Sequence, residues 1–171
     1  RILPDPDGIP LSRYSQYDNL KLPATAERRP TATRDAQLAM LVARVETQVR
    51  AYPGEWIGII TPRNRNLAPI LSAFERSSLR GKVSVHTSDD RQFDPACPIV
   101  VLTAHSAKGT EFRAVHLFAA EDFGRHYTRE VAFTVVTRAK TSLDVYHTDP
   151  IDGSLQAALS PERIPDPKEV F

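Results

Sequence analysis

The sequence holds a single cysteine, Cys97, so no disulfide can form within the chain, and an intracellular, cytoplasmic origin is expected. No apolar run approaches the ~20 residues that a membrane-spanning helix needs, so no membrane partner is expected either. No charged-then-apolar leader opens the chain. The first residue is Arg1 rather than Met, which reads as a segment trimmed from something longer. An excess of one charge is also missing: 22 Lys and Arg stand against 21 Asp and Glu. A global polycation is thereby excluded, and any nucleic-acid contact has to come from a local patch. His86, His116, His126 and His147 show no metal-ligand spacing with other ligands, so no metal site is expected. There is no internal repeat and no low-complexity tract.

What is present suits one globular domain with tails. The 171 residues, 41% of them hydrophobic, suffice to bury a core without staples. Proline is plentiful but uneven. Pro4, Pro6, Pro10, Pro23 and Pro30 crowd the start, and Pro150, Pro161, Pro165 and Pro167 crowd the end. Proline fixes φ and lacks the N–H donor, so residues 1–30 read as a proline-rich extended segment and 150–171 as an irregular tail. The domain is expected between them, over residues 31–149.

Within that span the pattern alternates. Residues 33–50 read as a helix, capped by Thr31 or Thr33, with Leu38, Leu41, Val42, Val45 and Val49 on one stripe. Pro53 and Gly54 break it. Residues 56–60 and 99–102 are short, nearly unbroken apolar runs, the pattern of strands covered on both faces. Between them lie a helix over about 66–78, with Asn64 as a cap, and a short strand over 82–86. A strand over 114–119, a helix over 129–138 and a closing strand over 143–147 follow. Strands alternating with helices predict an α/β fold: a parallel sheet with helices on both faces.

In such sheets ligands bind beyond the carboxyl ends of the strands. After the run at 99–102 comes Thr103-Ala104-His105-Ser106-Ala107-Lys108-Gly109-Thr110-Glu111-Phe112. Hydroxyls, an imidazole, an ammonium and free N–H groups suit phosphate contacts, and Glu111 can accept from ribose hydroxyls. The same residues also suit an ordinary strand-to-helix loop. Thr137-Arg138 ends an apolar helix, where an arginine can reach a terminal phosphate or simply sit favourably at the helix dipole. Arg63 and Arg65 open a helix, where cations are unfavourable unless an anion joins them.

In order, these segments resemble the motifs of UvrD/Rep-type superfamily 1 helicases. "TAHSAKGTEF" (103–112) is similar to motif V, T-x-H-x-A-K-G-L-E-F, and "VAFTVVTRAKTSLDVY" (131–146) to motif VI. "IGIITPRNRNLAPIL" (57–71) resembles motif IV more loosely. The resemblance covers roughly residues 55–148 and implies a RecA-like second motor domain in compact form, without the large insertion of UvrD and Rep. It further implies that Arg138 contacts the γ-phosphate and is the catalytic residue. Glu111 would contact the nucleotide sugar, with Gly109 completing that loop. Thr103, His105 and Lys108 would lie near a single nucleic-acid strand, DNA rather than RNA. Arg63, beside Pro62 at the motif IV position, would be a second phosphate contact. Thr110 stands where the family has Leu.

The G-x-x-x-x-G-K-[ST] phosphate loop and a D-E-x-Q magnesium motif are both missing from the sequence. In the family they lie on the first RecA-like domain. ATP and Mg2+ are therefore expected only together with that domain, and the chain alone is expected to be inactive. Two other readings compete. One is a catalytically decayed module acting as a nucleic-acid or protein adaptor. The other is an unrelated α/β enzyme using His105 or Cys97, although Cys97 at the start of an apolar strand reads as an inert thiol.

Overall fold

The computed structural model describes residues 25–87, 94–151 and 153–159. Six strands form one sheet: β1 (Thr25–Pro30), β2 (Ile57–Thr61), β3 (Val83–His86), β4 (Ile99–Thr103), β5 (Phe112–Leu117) and β6 (Ala139–His147). Their spatial order is β1-β6-β5-β2-β4-β3, and every neighbouring pair is parallel. Helices α1 (Arg34–Ala51) and α2 (Leu67–Glu75) cover one face; α3 (Arg129–Val136) and α4 (Gly153–Leu159) cover the other. This is the RecA-like α/β architecture that the alternation and the resemblance imply.

The two faces follow from the pleat. Ile57 and Ile59 of β2 pack with Leu41 and Val45 of α1 and Ile70 and Phe74 of α2. Ile60, one residue on, packs with Ala132 and Val135 of α3 and Leu155 of α4. A strand apolar on both sides has to be sandwiched, which is why β2 and β4 are buried at all five of their positions. Helix α1 begins where expected: the Thr33 side chain accepts from Ala36 N at 3.1 Å. Asn64 does not cap a helix. Residues Asn64–Asn66 form a 3-10 turn before α2, which starts at Leu67 without a side-chain cap.

Each of the two proline-rich segments contributes a regular element. Thr25–Pro30 is extended, but it pairs with β6 along its whole length as the outer strand. Its exposed Glu27 and Arg28 guard that edge, and Pro30 is tolerated there because an edge strand can spare one donor. Gly153–Leu159, expected to be irregular, is helical because Leu155 finds a buried place against α3. The readings for residues 1–24 and 160–171 lie outside the described residues.

The inner face of α1 was misjudged by its apolar stripe. Gln37 and Gln48 are buried beside Leu41 and Val45, whereas Leu38, Val42 and Val49 are only partly covered. Gln48 Oε1 lies 2.6 Å from His116 Nε2, and Tyr146 Oη lies 2.9 Å from His116 Nδ1. An amide oxygen can only accept, so with the amide in this orientation Nε2 carries the proton and Nδ1 accepts from the tyrosine. Burial pushes the His116 imidazole down to about 4, although Asp144 pulls it upward.

Gly58 marks a close approach between β2 and the Phe112 ring. A Cβ there would lie 2.5 Å from Phe112 Cδ2, inside a fully buried ring. Gly58→Ala should therefore destabilise the domain by about 2–3 kcal/mol, read as a lower urea midpoint at unchanged slope. A pairing of Gly58→Ala with Phe112→Leu should recover part of the loss.

Candidate nucleotide and nucleic-acid contacts on two sheet edges

The expected site residues fall on opposite edges of the sheet. At the carboxyl edge, β4 ends at Thr103, whose hydroxyl lies 3.1 Å from that of Ser106. Ala104 N donates to Thr61 O at 3.1 Å, so the loops after β2 and β4 are joined at their roots. His105 is exposed and sits 5.2 Å from Tyr127, centroid to centroid, at 44°. Phe123 backs the same tyrosine at 4.9 Å. The Tyr127 hydroxyl donates to the carbonyl of Pro62. Burial pushes its phenol up, and nearby Arg63 pulls the other way. Arg63, His105 and Tyr127 thus form one cluster. Arg63 Nε is buried without a partner among the described residues, so the guanidinium has donor capacity in hand.

At the amino edge, Arg138 lies between the end of α3 and the start of β6. Its carbonyl accepts from Phe112 N at 2.9 Å, which fixes it beside Glu111 at the start of β5. Its Nε donates to Thr134 O at 3.0 Å and one Nη donates to the Thr137 hydroxyl at 3.3 Å. The guanidinium therefore rests on the last turn of α3, where the carbonyl ends favour a cation. Glu111, 60% exposed, is 3.7 Å from Lys140 Nζ. Lys108 and Gly109 are exposed on the loop that returns from one edge to the other. Gly109 has φ +84°, a left-handed turn that a side chain would strain.

Arg63 and Arg138 do not converge. Arg63 follows β2 and Arg138 precedes β6, and the strands between them are parallel. At ~3.3 Å per residue their backbones are separated by at least roughly 20 Å along the strands. The two arginines expected as phosphate contacts thus lie apart in this domain: Arg63 sits with Thr103 and His105, and Arg138 with Glu111.

Residues 98–146 match the UvrD-like helicase C-terminal domain. The chain is similar to that domain. The match runs from just before β4 through Thr103, His105, Glu111 and Arg138 to Tyr146 in β6, and leaves out Arg63. The C-terminal domain of a possible DNA helicase from Lactobacillus plantarum WCFS1 superposes with a TM-score of 0.58 at 22% identity, over 82% of this chain and 81% of that one. The C-terminal domain of the DEAD-box protein Dbp5 gives 0.57 at 9% identity, over 81% and 83%. The Sulfolobus solfataricus SWI2/SNF2 ATPase core in complex with dsDNA gives 0.61 at 13%, over 88% of this chain and 34% of that one. At these identities the structures establish the shared fold. No curated protein matches the sequence. No helix among the described residues is long and apolar enough to cross a membrane.

Several residues of the carboxyl edge escaped the sequence reading. After β5 the chain makes a left-handed turn at Ala119, φ 59°, and enters a 3-10 stretch with Glu121 and Asp122. Both carboxylates bind residues from other elements. Glu121 Oε1 accepts from Gln37 Nε2 at 3.1 Å and from the Thr148 hydroxyl at 2.6 Å, and it forms an ion pair with Arg34 at 3.2 Å. Asp122 accepts from Arg65 at 3.0 Å and Asn66 Nδ2 at 3.1 Å, with Arg34 at 3.5 Å. The available signal was position: two adjacent acids directly after a buried apolar run, at a strand's carboxyl end.

Proposed function

We propose that this chain is the second motor domain of an ATP-dependent helicase or translocase acting on single-stranded DNA, with its two sheet edges divided between strand and nucleotide. The observation that carries this reading is the separation of the site residues. Thr103, His105 and Arg63 gather beyond the carboxyl ends of β2 and β4, whereas Glu111 and Arg138 gather at the amino ends of β5 and β6. In this reading the carboxyl edge holds the phosphate backbone, with Lys108 on the connecting loop. The amino edge faces a first RecA-like domain.

ATP bound to that first domain with Mg2+ supplies the phosphoryl group that is transferred. Among the described residues no three His, Cys, Asp or Glu side chains gather as metal ligands. The groups that this chain offers are a guanidinium and a carboxylate, which suit a terminal phosphate and a ribose hydroxyl. Arg138 would swing from the last turn of α3 onto the γ-phosphate as the two domains close. Glu111 would accept from the sugar. Because one loop carries His105 at one end and Glu111 at the other, closure on nucleotide would shift the strand contacts, which is the coupling a translocase needs.

Fluorescence anisotropy with a labelled oligothymidine of about 20 nucleotides tests the first half of this reading. The chain should bind with a log–log salt slope near −0.7 per phosphate contact, so about −2 for three contacts. Absence of salt-dependent binding would overturn the strand assignment. ATP hydrolysis tests the second half. The chain alone should be silent, and a protein joining it to its phosphate-loop domain should be active on DNA. Tight strand binding together with a silent joined protein would favour the adaptor reading.

A further inference from the structure

We propose that Glu121 and Asp122 are positioning residues that fix Arg34 and Arg65 as phosphate-contacting groups on the carboxyl edge. The inference rests on the strand-binding reading above. Its ground is the layering of charge. The carboxylates lie inside, with side chains 8% and 13% exposed, and the side chains of Arg34 and Arg65 lie further out, at 35% and 71%. A phosphate approaching this edge meets the arginines first.

Neither arginine is there for its own helix. Arg34 is the first residue of α1, and Arg65 lies in the turn that leads into α2. Cations at helix starts are unfavourable with the dipole. Their carboxylate partners reverse that balance and also limit rotation. Arg34 is held by both carboxylates, lies 3.5 Å from Gln37 Oε1, and has its guanidinium carbon 5.4 Å from the centre of the Phe118 ring. Arg65 has one carboxylate oxygen of Asp122, and Asn66 has the other. Asn66 in turn donates to Thr61 at 2.9 Å, at the end of β2.

The acids are themselves anchored. Gln37 Oε1 accepts from the buried N–H of Ala119 at 3.2 Å, holding the left-handed turn from which Glu121 and Asp122 project. A non-glycine residue at φ 59° persists only where its surroundings enforce it. The starts of α1 and α2, the end of β5 and the residue after β6 are thus tied to one turn. A flexible arginine loses rotamer freedom when it binds phosphate; one already held loses less.

The sign of one substitution separates this role from a passive one. A bystander carboxylate repels phosphate, so Asp122→Asn would tighten binding of the labelled oligothymidine. As a positioning residue, Asp122 predicts the reverse: about tenfold weaker binding and a salt slope shallower by about 0.7. Arg65→Gln, at an exposed position, should weaken binding similarly. In the Arg65→Gln background Asp122→Asn should cost much less than it does alone, because the two act through one contact. Circular dichroism melts of each variant show whether the binding measurements are made on folded protein. If the unsubstituted chain does not bind, the strand-binding reading fails and this one with it. If it binds and Asp122→Asn binds as well or better, or if the two substitutions add, only the positioning role is overturned.

Discussion

Arg138→Ala should cut ATP turnover of the joined two-domain protein by roughly a thousandfold or more, while oligothymidine affinity stays within about twofold. The size of the first effect comes from what an arginine does at a transferring phosphoryl group. Charge gathers on the equatorial oxygens, and a planar fork of donors meets it best when it is already oriented. For Arg138 the backbone is already pinned, by the 2.9 Å bond from Phe112 N, and only the side chain, resting on Thr134 and Thr137, would have to move to reach the phosphate. The indifference of strand affinity comes from distance, because the carboxyl-edge cluster lies at the other end of the parallel strands. The loss should fall on kcat more than on KM, since the contact strengthens as charge develops. Arg138→Lys should recover little, because an ammonium cannot make the bidentate contact. A steady-state titration of ATP at saturating DNA reads all of this. If Arg138 serves only to close the end of α3, turnover is unchanged and the melting point moves slightly, by the ~0.3–1 kcal/mol that a terminal cation contributes.

The same two edges explain what could be read in the sequence. Strands β2 and β4 were legible because unbroken apolar runs leave no solvent face, and the motif loops were legible because each is a contiguous string of residues. The parallel sheet and the chain order already put Arg63, after one strand, and Arg138, before another, at different ends. What was not legible was the register, Ile57 opposite both Ile99 and Ala114, with Ala114 opposite Ser142, which sets how far apart they lie. Gln37 and Gln48 were missed for a related reason. A glutamine on a helix counts against burial until its partner is known. Both partners, Ala119 N and the His116 ring, lie 82 and 68 residues further along the chain. Tyr127, Glu121 and Asp122 act through such long-range pairs as well. Strand β1, with Arg28 and Arg29, was hidden because the prolines around it, Pro23 and Pro30 among them, put it inside the proline-rich extended segment. One of those arginines is a core ligand.

That ligand is Arg29, whose partner gives the largest stability effect expected in the described domain. Asp144→Ala should lower the free energy of unfolding by about 3 kcal/mol and the melting temperature by about 10 °C. Asp144 is 2% exposed in the middle of β6. It accepts from Arg29 Nε at 2.8 Å on β1 and from Arg44 at 3.3 Å on α1, and one oxygen lies 3.8 Å from His116 Nδ1. A carboxylate so deep is tolerated only because two cations from two different elements reach it. Burial works against the charge on Arg29, but the hydrogen bond and charge of Asp144 outweigh it and raise the guanidinium above its ordinary value. Removing Asp144 therefore leaves the half-buried Arg29 with only the exposed Glu27 as a partner and removes the side-chain ties of β1 and α1 to β6. The effect is set at the low end for a broken buried pair because Arg29 and Arg44, at 24% and 39% exposure, can turn partly into water. Asp144→Asn keeps an acceptor for Arg29 Nε and should cost less than half as much. Arg44→Ala, removing the more exposed cation, should cost less again, about 1 kcal/mol. Thermal melts of the three variants at neutral pH give the order directly. Equal losses from all three would mean that shape, not charge, holds β1 to the sheet.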